Sequence, residues 1–101
     1  MQTNAQTQHL GKNIDFENIS EVLRVISHPT RLQILYELRN GKKCVCQLLS
    51  EIPVSQSNLS QHLSVLKLAG LVKDKRQGNM VEYELTDNKL TQQVISCLEN
   101  T

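Results

Sequence analysis

Two stretches of the chain concentrate side chains able to do chemistry. Cys44-Val45-Cys46 sets two thiols two residues apart, and Ser55-Gln56-Ser57-Asn58 with Ser60-Gln61-His62 crowds hydroxyls and amides into the opening of one segment. Thiolates are the ligands that soft ions select, and they are also oxidisable. Hydroxyls and amides at a helix start suit a polyanion: free N–H groups there face phosphate, while Gln and Asn donate and accept bidentately at adenine edges. A third group, Lys75 and Arg76 with Asn79 close behind, brings cations to the tip of an expected hairpin, where they reach backbone phosphate or the minor groove.

The cysteine spacing carries a geometric condition. On a regular helix, residues i and i+2 point about 200° apart, so both thiols meet one ion only if Cys44 precedes the helix or the first turn unwinds. Ion binding is therefore expected to bend the neighbouring segment, and Lys42, Lys43 and the helix start are expected to favour the thiolates. Cys97 stands apart, following Leu90 and Val94 at helical spacing. It reads as a small buried hydrophobe, as a third ligand or as a redox partner of the pair. His28 before Pro29 reads as a helix-start or packing residue, His62 as a residue that supports or makes a DNA contact, and His9 as solvated.

Helices must position these groups. Ile19, Val22, Leu23 and Ile26 recur at helical spacing from Asp15 onward, until Pro29 stops that helix and opens a second through Leu32, Leu35 and Leu38 to Asn40-Gly41. A short third helix carries Val45, Leu48, Leu49 and Ile52 and ends at Pro53. Ser55 is the expected N-cap of a fourth, whose Leu59, Leu63 and Leu66 face inward until Gly70. Gln56, Asn58 and Gln61 must then project outward. The period changes to two over 71–76 and 80–85, a hairpin turning at Gln77-Gly78-Asn79. Thr86-Asp87 is the expected capping pair of a last helix with Leu90, Val94 and Cys97.

Composition bounds the function classes. A chain of 101 residues with 39% hydrophobic and 21% charged residues is a single ordinary globular domain, expected over 13–101 with residues 1–12 as a flexible arm. No apolar stretch approaches the roughly 18 residues of a membrane span, and Met1 to Leu10 lack the pattern of an export signal, so a cytoplasmic protein is expected. Charge is segregated: Lys67, Lys73, Lys75 and Arg76 face one anion, Asp74, between residues 52 and 80, whereas Glu82, Glu84, Asp87 and Glu99 face only Lys89 beyond. Arg31, Arg39, Lys42 and Lys43 form a second basic group. This partition is the footprint of a polyanion partner. No Gly-rich phosphate loop, paired-carboxylate site or nucleophile with a base is present, nor a C-x-x-C with a βαβ pattern, so an enzyme is not expected.

Ser27-His28-Pro29-Thr30-Arg31-Leu32, Ser55-Gln56-Ser57 with Leu59-Ser60-Gln61-His62-Leu63, and Leu66-Lys67-Leu68-Ala69-Gly70-Leu71-Val72 closely resemble the ArsR/SmtB family of metalloregulatory repressors over about residues 15 to 100. The resemblance implies a mainly α fold with a small β-hairpin, a winged helix-turn-helix of order α-α-α-α-β-β-α. It implies a homodimer through the first and last helices that binds an imperfect palindrome of operator DNA. Ser55, Gln56, Ser57, Asn58, Ser60, Gln61 and His62, with Lys75, Arg76 and Asn79 of the wing, are then the expected DNA-binding residues. Cys-Val-Cys is what the family's arsenite and soft-metal sensors carry here, so Cys44 and Cys46, with Cys97 as candidate third ligand, are the implied ligands of trivalent arsenic, antimony or another soft ion. No cofactor is implied for DNA binding itself. Gln47 and Leu49 depart from the arsenic sensors' frequent Cys-Val-Cys-Asp-Leu-Cys, and no histidine follows His62, which speaks against a zinc site on the last helix. A thiol-redox or persulfide-responsive repressor of the same fold, and a metal carrier or redox protein that does not bind DNA, are the alternatives.

Overall fold

The computed structural model describes residues 13–101, so the expected arm over 1–12 lies outside the described residues. The elements are α1 (Phe16–Ile26), α2 (Pro29–Glu37), β1 (Lys43–Cys44), α3 (Val45–Glu51), α4 (Gln56–Leu68), β2 (Val72–Gln77), β3 (Met80–Leu85) and α5 (Lys89–Glu99). The four helices, hairpin and final helix read from the sequence are all present. Strand β1 is the addition. It pairs antiparallel with β3, Lys43 opposite Tyr83 and Cys44 opposite Glu82, making a three-stranded sheet of order β1-β3-β2. A two-residue strand has no period to read, so only the long-range pairing reveals it.

Local chemistry sets the boundaries. Asp15 caps α1 by accepting from Asn18 N–H (3.0 Å), and Ser55, the cap expected from the sequence, caps α4 by accepting from Asn58 N–H (3.1 Å). The cap of α5 is Asn88, which accepts from the Thr91 N–H (2.9 Å) and hydroxyl (3.0 Å). The expected Thr86-Asp87 pair does not serve there. Thr86 instead closes the base of the hairpin, donating from its N–H to the Leu71 carbonyl (3.1 Å) and from its hydroxyl to the Gly70 carbonyl (2.7 Å). At the end of α4 the Leu71 N–H reaches the Leu66 carbonyl (3.0 Å) and the Gly70 N–H reaches the Lys67 carbonyl (2.9 Å), a Schellman closure with Gly70 at φ 78°.

The core lies where α1, α2 and α4 converge with the start of β2. Leu59, Leu63 and Leu66 of α4 are buried against Ile34 and Leu35 of α2, with Leu48 of α3 beneath and Leu71 at the strand entry. Each such side chain stabilises the fold by about 1.5–3 kcal/mol on burial. The stripe on α1 is only partly an inward face: Val22, Val25 and Ile26 are buried, whereas Phe16 (51% exposed), Ile19 (37%) and Leu23 (47%) lie open. Those three follow an i, i+3, i+7 spacing, so α1 carries a second, outward apolar stripe. Among the described residues no helix is long and apolar enough to cross a membrane.

Nothing lies within 4 Å of a Cβ built at Gly70, so replacing it tests conformation rather than space. Gly70→Ala is expected to cost about 1–2 kcal/mol, the penalty of a left-handed backbone for an L-residue, read as a lower urea midpoint with unchanged slope.

Candidate nucleic-acid interface and thiol site

The outward face of α4 exposes Gln56, Ser57, Asn58, Ser60 and Gln61, with Ser55 at its cap, because the leucines at 59, 63 and 66 turn the opposite face to the core. Gly78, at φ 62°, makes the two-residue turn between β2 and β3 and carries the adjacent, exposed Lys75, Arg76 and Asn79 outward. Lys73, Lys75 and Arg76 form no ion pair among the described residues, although Lys73 and Lys75 stand opposite Glu84 and Glu82 in register. Lys67, by contrast, is held by Asp74 at 3.0 Å, tying the end of α4 to the wing.

His62 sits differently from the other DNA-binding candidates. Its ring is half-buried, packed 4.3 Å from the His28 ring, and its Nδ1 accepts from Arg31 Nε at 3.1 Å. Arg31 donates from Nη1 to the Val25 carbonyl at 3.1 Å, while His28 caps α2 by accepting from the Thr30 N–H at 3.1 Å. Arg31, His28 and His62 thus fasten α4 to the ends of α1 and α2. Burial, then the electrostatic influence of the neighbouring His28 and Arg31, holds His62 below the ordinary histidine value.

The second basic group is not an open cationic face. Lys43 lies between Glu37 (3.3 Å) and Glu51 (3.7 Å), Lys42 is 3.9 Å from Glu82, and Arg39 pairs with Glu99 at 3.2 Å over the Tyr36 ring. Lys42 and Lys43, expected to favour the thiolates, are thus shared with carboxylates. Both cations face carboxylates, and Glu51 is held below the usual carboxylate range by its hydrogen bond with Glu37 and by Lys43.

The cysteine pair meets the geometric condition by its first route. Cys44 precedes α3 as its N-cap, extended at φ −78° and ψ 163°, so α3 stays regular while the two sulfurs converge. They are joined as a disulfide with Cα atoms 5.3 Å apart. This departs from the expected free thiols, and the alternative route, unwinding of the first turn, is not required. Gln47 completes a capping box: its N–H donates to Cys44 Sγ (3.3 Å) and its Oε1 accepts from the Cys44 N–H (2.9 Å). The family-pattern departure at position 47 therefore has a structural use. Cys44 is buried and Cys46 exposed.

One groove of about 280 Å³ unites the site. Cys44, Val45, Cys46 and Leu49 form one wall, Gln56 of α4 another, and Asn79, Met80 and Val81 of the wing the third. The thiol pair thus shares a cavity with both elements expected to touch DNA. Cys97 is absent from it. It is exposed on α5, about 200° round the helix from buried Ile95, so it is not the buried hydrophobe that its spacing suggested. Among the described residues no three His, Cys, Asp or Glu side chains converge as a metal cluster. Met80 and Val81 as groove walls were not legible beforehand, because the pairing of β1 with β3 brings them there.

A model of the family described as bacterial regulatory protein, arsR family, matches residues 28–74, from the His28 cap into the wing. An HTH-type transcriptional regulator of Methanocaldococcus jannaschii is 37% identical over 76 residues, covering 74% of this chain and 85% of its own. An arsenical resistance operon repressor of Staphylococcus xylosus is 38% identical over 71% of this chain and 69% of its own length. The SmtB repressor of Mycobacterium tuberculosis is 38% identical over 77% of this chain, which spans 58% of that protein. Among solved structures, HlyU from Vibrio cholerae superposes with TM-score 0.77 at 32% identity, covering 83% of this chain and 90% of that one, and its reduced form matches with the same score.

Because folding lowers the His62 pKa, acid should loosen its contact with Arg31. Above the unfolded histidine value near 6.5 the contact is fully present. As pH falls below it the unfolded chain takes up the proton first, and stability is lost until the folded pKa is passed. His62→Gln, an acceptor that does not titrate, should flatten the fall in Tm between pH 7.5 and 5. An equally steep fall in the variant would show that other groups carry the acid sensitivity.

Proposed function

Because the chain belongs to the arsR family of bacterial regulatory proteins and is a transcriptional repressor rather than an enzyme, we propose that it represses a metal(loid) detoxification operon. In this reading it leaves its operator when trivalent arsenic, antimony or another thiophilic ion binds Cys44 and Cys46. The observation that carries the proposal is the shared groove: an ion held by the pair occupies space bounded by Gln56 and by Asn79 of the wing. A ligand shifts an equilibrium only by its differential affinity for two states, and here its site touches the parts that must fit DNA. The arsenical resistance repressor among the relatives supports the choice of ion class.

DNA is read, on this proposal, by α4 in the major groove, with Gln56, Asn58 and Gln61 at base edges and Lys75 and Arg76 on phosphates. A second copy docks on the open stripe of Phe16, Ile19 and Leu23, beside α5, against which α1 packs. The homodimer presents two α4 helices to an imperfect palindrome about 34–36 Å apart, or a multiple of that.

The disulfide favours a second reading, in which the switch is redox. The two thiols lose two electrons and two protons to an oxidant as the S–S bond forms, and the reduced protein is the DNA-binding form. Cys97, exposed and unpaired in this chain, is then not needed as a resolving thiol.

A gel shift with operator DNA, run reduced and anaerobic with arsenite, antimonite, cadmium, lead or zinc, separates these readings. An inducing ion should weaken binding about 5- to 150-fold, and Cys44→Ser and Cys46→Ser should abolish the response while Cys97→Ser retains it. If both front variants respond like wild type, the sensing site is wrong. Loss of binding by oxidant alone, reversed by reductant, favours the redox reading. Within the same assay Gln56→Ala should change base preference at a cost of about 1–3 kcal/mol. Arg76→Ala should weaken binding across all sequences and lower the salt slope by about 1. The reverse assignment would exchange the roles of helix and wing.

A further inference from the structure

Cys44 stands opposite Glu82 in the β1–β3 register, and side chains two apart on a strand share a face, so Met80 lies on the face of β3 that Cys44 meets. The groove walls agree, since Met80 lines the cavity together with both cysteines. Met80 is 47% exposed, a large apolar side chain left open beside two sulfurs. No histidine or carboxylate joins the pair among the described residues, and Cys97 lies outside the groove. Two thiolates leave a three-coordinate soft ion one donor short, and a thioether is a donor that copper(I) accepts readily.

We infer that Met80 is the third sulfur donor of a soft-ion site formed with Cys44 and Cys46, and that the set Cys, Cys, Met suits a soft monovalent ion of the copper(I) class better than trivalent arsenic. The inference rests on the reading of the cysteine pair as an ion site. The site forms in the reduced protein: a thiol or phosphine reductant supplies two electrons, two protons are taken up, and the disulfide becomes two thiols. Both protons leave again when the thiolates bind the ion, while the Met80 thioether donates a lone pair and loses nothing. Because Met80 opens β3, an ion so held is tied directly to the wing.

The test uses the full chain, reduced and anaerobic, titrated with copper(I) against a competing chelator and measured by X-ray absorption at the copper edge. Wild type should show three sulfur neighbours. Met80→Leu, which keeps size and apolarity, should show two, with copper(I) affinity lower by at least about tenfold, since even outer partners of a metal site cost that much. Equal affinity and equal sulfur count in Met80→Leu would overturn the inference and leave the thiol pair standing. Wild-type copper binding by Cys44→Ser would instead remove the pair itself.

Discussion

Position 44 carries two obligations at once, and the site follows from meeting both. Its backbone must pair with β3 and its side chain must cap α3, and each requires an extended residue directly before the helix. That conformation swings the Cys44 sulfur towards Cys46 without distorting a turn of α3, and the capping box with Gln47 holds it there. Inside a continuing helix the first cysteine would face about 200° away from the second. The extended cap is thus what converts two nearby thiols into one site, and its pairing with β3 brings the wing to that site.

The reading face depends on different forces. Buried leucines of α4 fix which side of the helix looks outward, and a polar clamp of Arg31, His28 and His62 fixes how α4 sits on α1 and α2. Other basic side chains are engaged internally: Lys43 by two carboxylates, Arg39 by Glu99, and Arg31 through hydrogen bonds to His62 and a carbonyl. What remains open is the cationic edge of the wing beside an uncharged, hydrogen-bonding helix face, a division suited to holding phosphate with one element and reading bases with the other.

Much of this was legible in the sequence, and the parts that were not share a cause. Helix α4, its Ser55 cap, its Gly70 stop and its outward Gln56, Asn58 and Gln61 are local consequences of period and capping. So is the placing of His28 at a helix start. Strand β1, the inward turn of His62 and the neutralisation of Lys42 and Lys43 arise from residues far apart in the chain, and no local pattern encodes them. Thr86 looked like a cap because Thr often is one, but closing the hairpin base uses both its N–H and its hydroxyl and leaves Asn88 to cap α5. Leu90, Val94 and Cys97 follow helical spacing, yet the buried centre of α5 runs through Thr91 and Ile95. A stripe on a helix shows that it has an apolar face, not which neighbour covers it.

Thermodynamic reciprocity gives the most direct measurement. If the ion in the cysteine groove weakens operator binding, operator DNA must weaken ion binding by the same factor. Arsenite affinity of the reduced protein, measured calorimetrically with and without saturating operator, should fall on the DNA by the factor that separates the operator affinities of the loaded and ion-free protein. Identical arsenite affinity in the two states would contradict the account, since the groove would then be uncoupled from the elements that line it.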